Sequence, residues 1–296
     1  MKILFRVLAR LPLGANQALG AVAGLLVYLL SPRYRGRLRA NLAASGLCGE
    51  PRDLGRLARA NAAEIGKGVT ELAWALMRSD KAVARVRGRS GWEAVERLRE
   101  AGRPIVFVTP HLGSYDVAGR YLWQQGLDIL AMYRPHKIFW IDQVLREGRN
   151  RGAAPDGTNV APATMAGVRM VLKHLRRGGC TVVLPDQVPG LGEGEWVDFF
   201  GRPAYTMTLL GRLQQATGAA IVFCFAERLP RGEGWYLHAE ELAQPLPADR
   251  REAARTVNAF VEALVRRCPA QYLWGYNRYK RPAGAPPPPG EPARAS

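Results

Sequence analysis

The chain has 296 residues, 48% of them hydrophobic, enough for one large or two small domains around a buried core. Its 42 Lys and Arg, mostly Arg, outnumber 25 Asp and Glu to give a net charge of +17. That excess points to an anionic partner: nucleic acid, an acidic protein or an anionic membrane surface. The four cysteines, Cys48, Cys180, Cys224 and Cys268, form no CxxC pair, which excludes a zinc ribbon and a disulfide framework and fits a reducing compartment.

The N-terminus is apolar from Ile3, broken by Arg6, Arg10, Asn16 and Gln17, and Ala18–Leu30 carries no charged or strongly polar residue. That uninterrupted run is shorter than the ~20 residues of a spanning helix. The sequence after it, Ser31-Pro32-Arg33-Tyr34-Arg35, lacks a small-residue cleavage site, so a signal peptide does not fit. We read residues 1–32 as a membrane anchor, either a marginal span or a helix in the interface, beside a buried-helix alternative. Arg33, Arg35, Arg37 and Arg39 follow, a cluster suited to anionic headgroups on the cytoplasmic side.

Residues 33–281 read as one catalytic-sized domain. Asp53–Met77 shows helical spacing of Leu54, Leu57, Ile65, Val69, Leu72 and Leu76, with Glu64 and Glu71 among them as surface or lining groups. A short helix, Trp92–Glu100, leads into Ile105–Thr109, an apolar β-branched run that predicts a buried strand. Pro110 stops it, His111 stands at its mouth, Gly113-Ser114 form a turn with an expected N-cap, and Tyr115–Gln124 reads as helix.

Beyond this come a strand over Leu127–Tyr133, helices near 138–149 and over Thr164–Arg177, and a strand at Cys180–Leu184 closed by Pro185-Asp186-Gln187. A polar loop through Gly190, Gly192 and Gly194 runs to an aromatic Val197–Gly201 stretch. A helix over Thr206–Thr217, strands over Ala219–Ala226 and Gly234–Ala239, and a helix over Arg250–Arg267 complete the pattern. Pro282–Ser296, rich in Pro, Ala and Gly, is expected to be disordered. Strands alternating with helices indicate an α/β fold with a largely parallel central sheet flanked by helices.

In such sheets ligands bind beyond the carboxyl ends of the strands, and His111, Arg134 and Asp186 each follow a predicted strand. His111 and Asp116 are five residues apart, about 140° on one continuous helix, but a strand-to-helix turn brings both to one mouth. A carboxylate beside an imidazole fixes its tautomer and stabilises its charged form, the requirement of a general base. The competing reading makes His111 a satisfied turn residue, Asp116 a helix-dipole acid, Arg134 a solvated cation and Asp186 an Asx-turn or N-cap.

Other features carry less. There is no G-x-S-x-G elbow around Ser114, Cys180 lies within a strand, and His136, His174 and His238 lack metal-ligand spacing. The glycines at 190, 192 and 194 neither follow a strand nor open a helix, and no helix-turn-helix, RNP or zinc-finger pattern supports a nucleic-acid partner.

Several blocks, in order, resemble the late acyltransferases of lipid A biosynthesis, the lauroyl/myristoyl acyltransferase family of the lysophospholipid acyltransferase superfamily. They are Asn41-Leu42, Glu64-Ile65-Gly66 with Glu71-Leu72, His111-x4-Asp116, Tyr133-Arg134-Pro135, Asp186-Gln187, Phe199-Phe200-Gly201 with Ala204, and Gln271-Tyr272-Leu273-Trp274. The related mycobacterial phosphatidylinositol mannoside acyltransferases share the His-x4-acid block. The chain departs from the family at Cys268-Pro269-Ala270-Gln271, usually His-Pro-Glu-Gln, and at Tyr276-Asn277-Arg278-Tyr279-Lys280, usually His-Arg-Arg-Phe-Lys.

The resemblance implies a glycerol-phosphate acyltransferase-like fold at the inner membrane, catalytic domain on the cytoplasmic side. It also implies transfer of an acyl chain from acyl carrier protein to a hydroxyl of an anionic glycolipid, a lipid A precursor. In those terms His111 is the general base and Asp116 orients it. Backbone N–H groups around Gly113 and Ser114, with Arg134, face the thioester oxyanion, Arg149 and Arg151 meet phosphates, and Asp186 is a further substrate-side residue. The carrier thioester is a co-substrate; no metal or redox cofactor is implied. A different membrane-lipid acceptor such as phosphatidylinositol mannoside, and a non-catalytic basic membrane-attached binding protein, are the alternatives.

Overall fold

The computed structural model describes residues 2–133 and 160–289. Arg134, His136, Arg149, Arg151 and the helix expected near 138–149 lie outside them.

The apolar run forms strand β2 (Ile105–Val108), buried on both sides between β5 (Cys180–Val183) and β8 (Ala220–Arg228), to each of which it is parallel. Strands covered on both faces read as continuous apolar runs, which is why these three were visible. Successive side chains point to opposite faces: Val106 and Val108 enter one core with Ile221, Phe223 and Phe225, while Ile105 and Phe107 enter the other with Val222 and Cys224.

The sheet continues past β8 to β9 (Trp235–Glu241), its one antiparallel neighbour, and to β1 (Val86–Ser90), parallel to β9. The largely parallel sheet expected from the sequence is therefore present. The edge strand β1, Val-Arg-Gly-Arg-Ser, has no apolar run to reveal it, and the ring of Tyr236 crosses the space a Cβ at Gly88 would fill.

The stretch expected as a loop from Gly194 is a β-hairpin, β6 (Gly194–Phe199) and β7 (Arg202–Met207). Its two-residue connection has φ of 49° at Phe200 and 69° at Gly201, a pair of positive values that suits a type I′ turn. Such turns favour Asn or Gly first, so a Phe there gives no turn signal. Here the Phe200 ring is buried against Trp274, and its N–H donates to Glu262 Oε1 at 2.6 Å. Because Thr206 and Met207 belong to β7, the following helix starts only at Leu209.

The N-terminal helices pack onto this body. Helix α1 (Lys2–Arg10) leads to α2 (Leu13–Leu30), which is long and apolar enough to be a candidate span, and α3 (Pro32–Ala44) follows. One face of α2 lies along α4 (Pro51–Met77). A Cβ on Gly24 would meet the Ala62 carbonyl oxygen at 2.0 Å, and one on Gly66 would meet that of Gly20 at 2.0 Å. The polar interruptions Asn16 and Gln17 are buried on this seam. The Asn16 amide donates to the carbonyls of Leu8 and Thr70, and the Gln17 amide donates to Glu71. The opposite face of α2 exposes Leu19, Val22, Leu26, Val27, Leu29 and Leu30, and Val69 of α4 is exposed as well. Of the basic cluster, Arg35 caps α2, its guanidinium donating to the Leu29 carbonyl at 2.9 Å.

The start of the Pro-rich tail, expected to be without structure, is packed: Ala285 is buried, and the Pro286 carbonyl accepts from the Trp196 indole at 3.0 Å.

The seam makes a prediction with its own control. Gly66→Ala must push two helices apart at backbone level and should destabilise the protein by about 1–3 kcal/mol, the usual cost of overpacking. Gly36→Ala, exposed within α3 with nothing near its Cβ, should be neutral or stabilising by up to about 1 kcal/mol. Thermal melts of both variants check this; equal stability would mean the helices do not meet at Gly66.

Candidate active site

The chain leaves β2 through Thr109 and Pro110, and His111 sits at the carboxyl edge of the sheet. The segment Gln271–Leu273 runs alongside it: the His111 carbonyl accepts from Leu273 N–H at 3.1 Å, and Leu112 bridges to Tyr272. At Gly113, φ is 63°, and a Cβ there would lie 2.1 Å from the Ala226 carbonyl oxygen, so this tight approach needs glycine. Helix α7 (Tyr115–Gln124) then begins. Ser114 stands at its N-cap position without a side-chain capping bond, unlike the expectation from sequence.

Asp186 lies three residues beyond β5, buried next to His111. Its Oδ1 is 2.8 Å from His111 Nδ1, and its Oδ2 accepts the His111 backbone N–H at 2.9 Å. The carboxylate hydrogen-bonded to the imidazole is thus Asp186, whereas local spacing paired His111 with Asp116. A contact between residues 75 apart in the chain has no spacing signature; it exists because β2 and β5 are parallel neighbours. Asp116 adds its charge to the same imidazole from the first turn of α7. A proton on Nδ1 donated to Asp186 leaves Nε2 with its lone pair facing outward, where the Gln187 amide nitrogen lies 3.1 Å away.

Burial works against charge on His111, but the Asp186 carboxylate and its hydrogen bond, with Asp116 behind, outweigh it and raise the pKa above the usual 6.5. Burial likewise disfavours the Asp186 anion, and the imidazole opposite overcomes it, lowering the carboxyl below 3.8. Tyr272, buried with its hydroxyl toward Asp186, is held protonated by burial and by that charge. The tie therefore stabilises the fold while His111 is charged and Asp186 ionised. The Asp186 part is present above 3.8 and lost as pH falls through its depressed pKa. The His111 part is present below 6.5 and lost as pH rises through its elevated one.

Gly113 and Ser114 reach the site, and their own N–H groups are engaged within the backbone. The Gly113 N–H donates to the Gln271 carbonyl at 3.2 Å and that of Ser114 to the Ala226 carbonyl at 2.8 Å. They hold the turn to β8 and to the Gln271 segment.

Two clefts open at this turn, both lined by Tyr115 and Asp116. One, of about 170 Å³, runs between His111 and the α4 side chains Ile65, Val69 and Leu72, with Glu64 and Arg228 at its floor. The other, of about 140 Å³, lies across Tyr115 and Asp116 and is lined by Trp123, Ile129, Met132, Val182 and Leu184. Both are predominantly apolar, the character expected of slots for acyl chains. Arg228, at the end of β8, is almost fully buried. Its Nε and Nη2 bind the two oxygens of Glu71 at 2.7 and 2.8 Å, and Nη1 binds Glu64 at 2.7 Å. Despite burial, the two carboxylates hold it firmly charged. Sequence reasoning left Glu64 and Glu71 open and did not see Arg228, a lone Arg ending an apolar strand.

A family model described as bacterial lipid A biosynthesis acyltransferase matches residues 1–281. The chain belongs to that family. It is 28% identical over 212 residues to a lipid A biosynthesis acyltransferase of Haemophilus influenzae, covering 72% of this chain but 64% of that protein, just under two thirds of its length. It is 28% identical over 230 residues to the lipid A biosynthesis lauroyltransferase of Escherichia coli K12, covering 76% of this chain and 72% of the relative. The palmitoleoyltransferase of the same organism is 27% identical over 231 residues, with the same coverage.

In this family member the two segments that depart from the usual motifs make structural contacts through residues that match those motifs, Gln271 and Arg278, and through one departure, Tyr276. Gln271, after Cys268-Pro269-Ala270, accepts the Arg228 backbone N–H and donates to the Arg228 carbonyl, both at 2.9 Å. Tyr276 accepts the Val188 N–H at 3.1 Å, and Arg278 is buried, donating to the Tyr205 carbonyl at 2.8 Å.

The geometry ranks the two carboxylates. Asp186→Asn should lower the His111 pKa, so the acid limb of any His111-dependent activity moves to lower pH while the maximum rate falls. Asp116→Asn should move the limb the same way but less, because its charge is the smallest of the contributions. A pH–rate series on both variants decides; a larger displacement in Asp116→Asn would return the orienting role to Asp116.

Proposed function

We propose that this protein is an acyltransferase that moves a fatty acyl chain from acyl carrier protein to a hydroxyl of a lipid A precursor at the inner membrane, with His111 as general base. The observation that carries this reading is the His111–Asp186 pair, 2.8 Å apart at the carboxyl edge of the sheet, with His111 lining an apolar cleft.

Neutral His111 takes the acceptor hydroxyl proton at Nε2 as the acceptor oxygen bonds the thioester carbonyl carbon, and Asp186 stabilises the imidazolium so formed. The tetrahedral centre then collapses, the carbon–sulfur bond breaks, and the departing thiolate takes the proton back from Nε2. One cleft is lined by His111 and both are lined by Tyr115 and Asp116, which gives an acyl donor and a lipid acceptor separate places at one turn. Arg134, Arg149 and Arg151 remain candidates for the oxyanion and for phosphates, and the excess of 17 positive charges suits both an acidic carrier and an anionic glycolipid. The apolar outer face of α2, with Arg33, Arg37 and Arg39 beyond its end, suits a membrane surface with anionic headgroups.

The chemical test is transfer from dodecanoyl, tetradecanoyl and hexadecenoyl acyl carrier protein to a detergent-dispersed lipid A precursor, with the coenzyme A thioesters as controls. His111→Ala should lower turnover per folded molecule about 10²–10⁴-fold. Near-normal transfer by a well-folded variant would end the mechanism.

Attachment calls for a surface variant rather than a deletion, because removing residues 1–30 would strip α4 of its partner and expose the seam. Leu19→Ser, Leu26→Ser and Leu30→Ser together alter only the outer face and should shift the protein from the membrane pellet to the supernatant at unchanged melting temperature. Full retention of the folded triple variant in the pellet would rule out this face as the attachment site.

A further inference from the structure

Acyl transfer needs a hydrogen-bond donor where the carbonyl oxygen becomes an oxyanion, and the donors nearest the base in sequence are already engaged. The Gly113 and Ser114 N–H groups are bonded to the Gln271 and Ala226 carbonyls. Gln187 is different. Its side chain is exposed, and its amide nitrogen stands 3.1 Å from the reactive nitrogen of His111. Its backbone is fixed from both sides: Asp186 by two bonds to His111, and Val188 by the Tyr276 hydroxyl at 3.1 Å. With the backbone held, the amide needs only a side-chain rotation to move from His111 Nε2 to an atom beside it.

We propose that Gln187 is a catalytic residue, its side-chain amide caps His111 Nε2 in the free protein and donates to the thioester oxyanion once the acceptor hydroxyl takes its place. An acceptor oxygen bonded to Nε2 must occupy the position the amide nitrogen now holds. Displaced by one atom's width, the amide lies beside that oxygen, and the carbonyl oxygen bonded to the attacked carbon is its nearest strong acceptor. When the acceptor oxygen–carbon bond forms, the carbonyl π pair moves to oxygen and the hydroxyl proton moves to Nε2. The amide N–H then meets a full negative charge where before it met a neutral carbonyl, an interaction stronger in the transition state than in the ground state. The inference rests on the acyl-transfer reading above and adds a residue to it.

The test is steady-state transfer from the same acyl carrier protein thioesters by wild type, Gln187→Ala and Gln187→Glu, each checked for an unchanged melting temperature. Loss of an oxyanion donor should lower kcat about 10²-fold, within the range of about 10²–10³ for such donors, with KM for the thioester changed less than threefold. Gln187→Glu keeps the size but at neutral pH offers no N–H, and should be no better than Gln187→Ala. If the amide only caps the base, removing it frees Nε2, and Gln187→Ala should match or exceed the wild-type kcat; that result overturns the inference and leaves the acyl-transfer reading standing. A fall confined to KM overturns it equally. A wild-type protein with no thioester-dependent transfer overturns the reading itself, and the inference with it.

Discussion

The guanidinium of Arg228 is buried, and everything around the site is arranged to keep its charge satisfied. Both oxygens of Glu71 and one of Glu64 bind it from α4, while Gln271 brackets its backbone with two hydrogen bonds. Gln17 of α2 donates to the same Glu71. One side chain thus joins the N-terminal helices, the end of β8 and the segment that flanks His111. Such a knot is costly to break from one side, because an unpaired charge left in the interior destabilises a protein by about 3–5 kcal/mol. Its value here is positional: it fixes how far α4 stands from the base, and with that the width of the cleft between them.

The sheet's centre was legible because its physics is local. A strand buried on both faces has to be predominantly apolar, and Ile105–Val108 and Ala220–Ala226 meet that demand in consecutive residues. Cys180–Val183 departs from it only at Thr181, whose hydroxyl donates to the Leu130 carbonyl. Strand β1 and the β6–β7 hairpin were not, since an edge strand tolerates Arg and Gly and a turn stabilised by the packing of Phe200 needs no turn residue. The site divided in the same way. His111 was found from its place after a strand, and Asp186 by the same rule, but their partnership was not. Five-residue spacing favoured Asp116, whereas the hydrogen bond depends on two strands lying side by side. Arg228 carries no local signal, and Tyr272 and Gln187 entered only as members of motif blocks; the fold alone brings all three to the edge.

The N-terminal helix shows how a composition profile conceals packing. Read as hydropathy, Asn16 and Gln17 are blemishes in an apolar stretch. In the structure they are the buried side of α2, and the uniformly apolar residues beyond them are the exposed side. The glycines that weaken helix propensity in both α2 and α4 are the surface on which the two backbones meet.

That pairing also bears on the order of events as the chain is made. Gln17 and its acceptor Glu71 are separated by 54 residues, so α2 emerges from the ribosome well before the helix that receives its amides. During that interval the Gln17 amide lacks the acceptor it has in the fold, and hydrocarbon offers it none; it would cost several kcal/mol there. Water or the headgroup layer satisfies it at once. Synthesis itself therefore biases α2 toward waiting at a surface until α4 arrives, and against inserting first and assembling afterwards.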